Sequence, residues 1–494
     1  MITLSSAARA FVAQGPVKLF IDGQWVGAHD GATLATRDPG EGTIVAQVAS
    51  GGAADVDRAV AVAERAFRES GWAELSATER GAILHRLADL IGQHGETLAQ
   101  IESLDVGKPR MLAAGLDVPH AALTFRYYAD LAVQLPRREE HGVAGFESFT
   151  VRHPYGVCGF IFPWNFPLLL LAWGVAPALA AGNTVVIKPA EDSPLSTLFF
   201  AQLAAEAGVP AGVINVVPGL GETAGAALAG HPGLKRMSFT GSPEVGRLVA
   251  AACGRNLVPV KLELGGKGAA VVFADVDVEA TADALAGAVT LNSGQLCCTA
   301  TRWLVQESIR DRFVARVTTT LAGMKIGHGA DADTQIGPLV SEQQRARVLG
   351  YLARGVADGA RLLLAGGRAE VADHPGGFYV KPALLAGGPD NVCAREEIFG
   401  PVAYLMTFRE EDEAIRLVNS SPYGLGNSVW SQDLVRAGRV AARLIAGISW
   451  INGHNLVAPG IPYVACNLSG CGGGVLSRET LTDYFRNQSI VRAR

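Results

Sequence analysis

From Thr184 onwards the chain alternates short β-branched runs with helix-forming stretches, and that alternation leaves few folds open. TVVIK (184–188) leads into a helical stretch from Pro194 to Gly208. VINVV (213–217) is followed by Gly-Leu-Gly-Glu-Thr-Ala-Gly (219–225), which opens a short alanine-rich helix. RMSF (236–239) is followed by TGSPEVG (240–246), which opens another. Strands separated by helices pair in parallel through crossovers, which predicts the doubly wound α/β class. A second alternating stretch begins near 266, with AAVVF (269–273), TRWLV (301–305) and RLLLA (361–365).

The flanking segments read differently. Val56, Val60, Ala63 and Phe67 recur at helical steps after an acidic start at Asp55. PRREEHGVAGFESFTVRHPYG (136–156) is charged and then alternates, which predicts an exposed hairpin, and the tail from Tyr484 to Arg494 reads as a polar strand. Val157 to Ile187 carries no charge and is long enough to span a bilayer. Pro163, Pro167 and Pro177 interrupt it, so buried core is the better reading.

At about 150 residues per domain, 494 residues make two to four domains. With 49% hydrophobic and only 18% charged residues, the chain is not disordered. The net charge of −5, with no basic run, speaks against a nucleic-acid partner. Seven scattered cysteines form no disulfide framework and fit a reducing cytoplasm; no zinc spacing is present, and no metal is expected. The amino terminus lacks a basic n-region and a continuous apolar h-region, so no signal peptide or membrane partner is expected.

Several residues are candidates for chemistry. The glycine turns at 219–225 and 240–246 follow strands and precede helices, where a dinucleotide can approach the backbone, yet either could be an ordinary βα turn. Lys188 and Glu191 follow the first strand; a carboxylate there can hold a ribose, and a solvated loop is the alternative. Cys297 and Cys298 lie beside a Gly-Gln bend, either as small buried hydrophobes or as a reachable nucleophile. Glu263 ends an apolar strand as a desolvated base or as a paired structural acid. Asn165, between Trp164 and Phe166, is an amide in apolar surroundings and a plausible oxyanion donor.

FPWNFP, VVIKPAE, FTGSPEVG, LELGGKG, GQLCC and EEIFGPV occur in this order, and together they resemble the aldehyde dehydrogenase superfamily over nearly the whole chain. The resemblance implies a Rossmann-type NAD-binding domain (1–135 and 155–265), an α/β catalytic domain (266–460) and a small β oligomerisation piece (136–154 and 478–494). It makes Cys297 the nucleophile, Asn165 the oxyanion donor and Glu263 the general base. Lys188 and Glu191 would hold the adenosine ribose, Ser242 with Gly241 and Gly221 the pyrophosphate, and Glu397 and Phe399 the nicotinamide ribose. A 2′-phosphate beside Glu191 would be repelled, which favours NAD over NADP. The substrate tunnel would be lined by Phe166, Leu170, Trp173, Leu291, Leu296, Val457 and Tyr463, none of them charged. That implies oxidation of an uncharged aldehyde, medium aliphatic or arylalkyl, to its carboxylic acid through a thiohemiacetal and a thioester. A homodimer or homotetramer is expected. His454 is expected in a loop, with the tunnel mouth as the alternative.

The match breaks near the end. Many relatives read FGGxKxSGxGRE where this chain has Tyr463 to Gly474, so a lysine has become Asn467 and an arginine and glutamate have become Gly473 and Gly474. Gly174 stands where many place a lysine, and Pro259, Gly473 and Arg486 stand where charged interface residues are common. Loss of both members of a buried Lys–Glu pair is coherent, since losing one would strand a charge at about 3–5 kcal/mol. Two consequences are open: altered proton release from Glu263, or a mobile glycine loop. A CoA-acylating or semialdehyde-specific enzyme and a catalytically idle fold are the competing functions; the intact Glu263 argues against CoA acylation, and the retained Cys297, Asn165 and Glu263 disfavour the idle fold.

Overall fold

Two twisted sheets organise the chain, and the functional residues collect where the strands of one run out. The computed structural model describes residues 4–493. In the first sheet, five parallel strands lie in the order Ile214–Val216, Thr184–Lys188, Val157–Ile161, Arg236–Thr240 and Val260–Glu263. Leu19–Ile21 with Gln24–Val26 closes one edge antiparallel, and Gly470–Cys471 closes the other. Strands Val157–Ile161 and Thr184–Lys188 are buried throughout, as apolar runs covered by helices on both faces should be.

The uncharged stretch is therefore core. It comprises those two strands and the helix Pro167–Ala180 between them, in which all but Leu170 are buried. Pro167 sits in the first helical turn, where its missing N–H costs nothing. Among the described residues no helix is long and apolar enough to cross a membrane.

The second sheet has seven strands, in the order Arg361–Leu364, Ala383–Ala386, Val402–Phe408, Ala300–Gln306, Gly268–Val272, Gly426–Trp430 and Ile448–Ile451. All neighbours are parallel except the first pair. The helix over Val56, Val60 and Ala63 forms as Ala53–Glu69, with those three residues buried. The 219–225 turn differs from a plain helix start: it is a π-type turn over Gly221–Gly225, followed by only four α-helical residues, Ala226–Ala229. The hairpin forms as Arg138–His141 and Phe146–Pro154, and the tail strand Phe485–Ala493 adds to it antiparallel along its whole length. The resulting three-stranded sheet leaves Arg138–His141 fully exposed and Val491 61% exposed.

Candidate active site

Cys297 is presented by a strained bend. Helix Val278–Thr290 ends, and Asn292, Ser293 and Gly294 follow with φ of 47°, 58° and 74°. Such a conformation is natural for glycine and tolerated by asparagine; for serine it costs about 1–3 kcal/mol and must be held. Ser293 Oγ donates to the Gly337 carbonyl at 2.8 Å, Asn292 Nδ2 to the Asn165 carbonyl at 3.0 Å, and the Val340 N–H donates to Gln295 Oε1 at 2.9 Å. The bend leaves the Cys297 thiol half-buried, 3.8 Å from the Tyr463 hydroxyl.

Cys298 is buried instead, and its carbonyl accepts from His454 Nε2 at 2.9 Å. His454 is itself buried, bonded through Nδ1 to Ser428 at 2.9 Å and packed on Trp450. Burial pulls its pKa down to about 4, so the imidazole is neutral. It lies in the loop after strand Ile448–Ile451, as expected, and being buried it braces the backbone behind the thiol.

Asn165 lies between strand Val157–Ile161 and helix Pro167–Ala180, and its Nδ2 donates to the Gln295 carbonyl at 3.0 Å. An amide nitrogen carries two hydrogens, so this bond orients the group and leaves one N–H for a ligand. Glu263 ends its strand only 8% exposed, and neither carboxylate oxygen has a hydrogen-bond partner among the described residues. Burial pushes its pKa up, opposed in part by the Lys261 ammonium. The Cys298 thiol and burial likewise push Cys297 well above the ordinary thiol range. The resting nucleophile is a thiol and needs a proton acceptor before it attacks.

In the first sheet the chain order reverses between Val157–Ile161 and Arg236–Thr240, and ligands of such sheets bind outside the carboxyl ends of the strands at that point. A groove of about 670 Å³ lies there, lined by Trp164, Gly241, Ser242, Glu397, Phe399 and Cys297 among others. Ser242 caps helix Pro243–Arg255, accepting the Val245 N–H at 3.3 Å, and that helix turns its amino end to the groove. A Cβ on Gly241 would stand 2.5 Å from the Phe239 ring, and one on Gly265 would collide with the Glu397 carboxylate. Glu397 accepts the Gly266 N–H at 2.9 Å while burial raises its pKa to about 7. Phe399 holds φ at 63° with its ring edge-on to Trp164. Lys188 Nζ donates to Glu191 Oε2 at 2.8 Å; burial disfavours the Glu191 charge, but this ammonium outweighs it and lowers the pKa. Gly221 has open space where a side chain would be. Bare backbone, a helix amino end and flanking carboxylates are the cradle a dinucleotide requires, so the residues present fit NAD.

Phe166, Leu170, Trp173, Leu296, Val457 and Tyr463 pack with Cys297 in one apolar cluster. Leu291 is half-buried and is not part of that cluster. Two residues that the motifs did not indicate join the neighbourhood. His120, on helix Val118–Gln134, lies 5.8 Å from the Trp173 ring and is kept neutral by burial, at about 4. Lys261 is buried beside Glu263 on the same strand face, a position that strand alternation could have flagged.

The altered tail is tied into three pairings. Tyr463–Val464 pairs with Gly474–Val475, Cys466–Asn467 with Tyr423–Gly424, and Gly470–Cys471 with Leu262 and Glu263. The glycines are steric requirements of that route. A Cβ at Gly472 would overlap the Val260 carbonyl, one at Gly474 would meet the Tyr463 carbonyl at 2.5 Å, and Gly473 has φ of 114°. Among the described residues no cluster of His, Cys, Asp or Glu could hold a metal ion.

Comparison with known proteins agrees with this geometry. A model of the aldehyde dehydrogenase family matches residues 25–490. A 2-hydroxymuconic semialdehyde dehydrogenase of Pseudomonas sp. (strain CF600) is 40% identical over 476 residues, covering 94% of this chain and 98% of its own. A phenylacetaldehyde dehydrogenase of Pseudomonas fluorescens is 40% identical over 470 residues, covering 92% of each chain. The NAD+ complex of an aldehyde dehydrogenase from Bacillus cereus superposes with a TM-score of 0.96 at 36% identity, covering 100% of this chain and 99% of that one. With a family match across nearly its full length, this chain belongs to the aldehyde dehydrogenase family, a family of oxidoreductases.

Proposed function

We propose that this enzyme oxidises an uncharged aldehyde, medium aliphatic or arylalkyl, to its carboxylic acid with NAD, through a covalent bond to Cys297. The position of that thiol carries the reading. Cys297 lines the groove at the strand ends, borders the small cavity of Glu263 and belongs to the apolar wall of Phe166, Trp173 and Tyr463. The Bacillus cereus relative holds NAD+, and the glycine-lined groove supports the same cofactor here. Lys188 and Glu191 would bind the adenosine ribose, Gly221, Gly241 and Ser242 the pyrophosphate, and Glu397 and Phe399 the nicotinamide ribose. The Glu191 carboxylate disfavours a 2′-phosphate and hence NADP.

The aldehyde enters along the apolar wall. The Cys297 thiol gives up its proton to water in the groove, its sulfur gives an electron pair to the carbonyl carbon, and the oxygen becomes an alkoxide held by the second N–H of Asn165 and the Cys297 backbone N–H. Bound NAD supplies the acceptor for the hydride that then leaves this carbon, and Cys297 is left as a thioester. Glu263, ionised, takes a proton from water, whose oxygen attacks the thioester; the C–S bond breaks, the Cys297 sulfur leaves as a thiolate and takes that proton, and the acid departs. The Pseudomonas sp. relative is named for a semialdehyde and the Pseudomonas fluorescens one for phenylacetaldehyde. The apolar wall itself offers a substrate carboxylate no cation, His120 is neutral, and the nearby Lys261 lies beside Glu263. The domain division 1–135 with 155–265, 266–460, and 136–154 with 478–494 belongs to the same proposal. So does a homodimer or homotetramer that covers the edges of the three-stranded sheet, working in a reducing cytoplasm where all seven thiols stay free.

The test is NADH absorbance with hexanal, phenylacetaldehyde and succinic semialdehyde, NAD and NADP in parallel. Turnover of the first two with NAD, abolished in Cys297→Ala, is expected. Oxidation of succinic semialdehyde alone would overturn the substrate class, and an unaffected Cys297→Ala variant the mechanism.

A further inference from the structure

We propose that Lys261 is a positioning residue for the hydrolytic step: its ammonium is the counter-charge that allows Glu263 to ionise. This rests on the reading of Glu263 as the water-activating base. Along strand Val260–Glu263 alternate side chains share a face, so Lys261 and Glu263 project to the same side. Both line a cavity of about 20 Å³ that also touches Cys297, Tyr463, Ser238 and Thr240. That volume holds one water, enough to bridge an ammonium and a carboxylate that are not in direct contact.

The surrounding charges leave the two to each other. Lys261 is 1% exposed, and its hydrogen bond goes to a neutral acceptor, the Gly474 carbonyl, at 3.5 Å. A buried ammonium without an opposite charge is costly. From the neighbouring strand comes Arg236, whose guanidinium pairs with Asp483 at 3.6 Å, so those two largely cancel. The other ionisable groups around the site are the hydroxyls of Tyr463 and Tyr484 and the thiols of Cys297 and Cys298, neutral when protonated, and Glu397, whose carboxylate accepts the Gly266 N–H. Helix Pro167–Ala180 contributes no charge, and at Gly174 a Cβ would already stand 3.0 Å from the Phe160 ring. Glu263 is the one carboxylate in this enclosure without a partner of its own. Burial pulls the Lys261 pKa down and raises that of Glu263, while each charge favours the other.

The competing account is that Lys261 only packs the core and ties down Gly474. To separate the two, Cys297 of the full-length protein is acylated with p-nitrophenyl acetate in a single turnover. Loss of the acetyl adduct is then followed by mass spectrometry across the neutral to alkaline range. Deacylation should rise with pH. In Lys261→Met the midpoint of that rise should move up by about one pH unit, slowing deacylation about tenfold on the neutral side, and Lys261→Arg should restore it. An unmoved midpoint overturns the proposal, whatever the variant's melting temperature or absolute rate. If Lys261→Met does not fold, Lys261→Gln against Lys261→Arg gives the same comparison. Glu263→Gln separates the layers. If it deacylates normally, the reading of Glu263 itself falls, and the proposal with it. If it stalls while Lys261→Met keeps the wild-type midpoint, only the role of Lys261 is lost.

Discussion

The Cys298 thiol together with burial raises the Cys297 pKa, and burial raises that of Glu263, so both favour their protonated forms. The sign of the pH dependence follows. A base with a raised pKa is ionised only above that raised value, so hydrolysis of the thioester should be slow in mild acid and rise through neutral into alkaline pH. Single-turnover deacylation over that range checks this; a rate already maximal at the ordinary carboxylate pKa would contradict it. Asn165→Ala removes one oxyanion donor and should add about 3–4 kcal/mol to the barrier of NADH formation, seen as a fall in kcat with the fold intact. These three residues were named only through six motifs taken together, since each motif alone left a structural alternative open. His120 was not named, because a histidine acquires its meaning from what it faces; Lys261 shares the strand face of Glu263 by alternation, but that both are buried there came only with the fold.

At the scale of elements, the decisive one is the segment from Tyr463 to Val475. Its glycines could be read in sequence as a mobile loop, yet the chain pairs three times and passes so close to the Val260 and Tyr463 carbonyls that no side chain fits. Amide hydrogen exchange should therefore find the ladder amides of Gly470–Cys471 and Gly474–Val475 protected on the timescale of the sheet, not of an open loop. Gly474→Ala should destabilise the protein by about 1–3 kcal/mol in denaturant titration, because the opposing atom is backbone and cannot rotate away. A neutral Gly474→Ala would mean that the strand pair yields readily. The parallel strands were easier to foresee: TVVIK and RMSF are short β-branched or apolar runs between helices, and that pattern has one stable arrangement. The bend at 292–294 was visible only as a polar turn, since a left-handed φ at Ser293 is imposed by Gly337 and Asn165 from other parts of the chain.

In the whole molecule, the hairpin and the terminal strand make a sheet whose outer edges are bare, with Ile490 and Val491 exposed. Removing residues 485–494 should reduce the assembly to monomers in light scattering, with Cys297 still able to react with an ester; an unchanged mass would place the interface elsewhere. The sequence by itself determined the α/β class, the two alternating stretches and the buried uncharged run, and through six motifs in order it pointed to the nucleophile, amide and acid proposed above. These depend on periodicity and on motifs a few residues long. The tertiary structure alone decided that Lys261 and Glu263 are buried around one small cavity, that His454 braces Cys298, and that the glycine tail is a strand edge of the first sheet. Each of those joins residues distant in the chain or fixes the direction of a side chain. Burial, and with it every pKa in the site, arises only when separate elements exclude water from the same place.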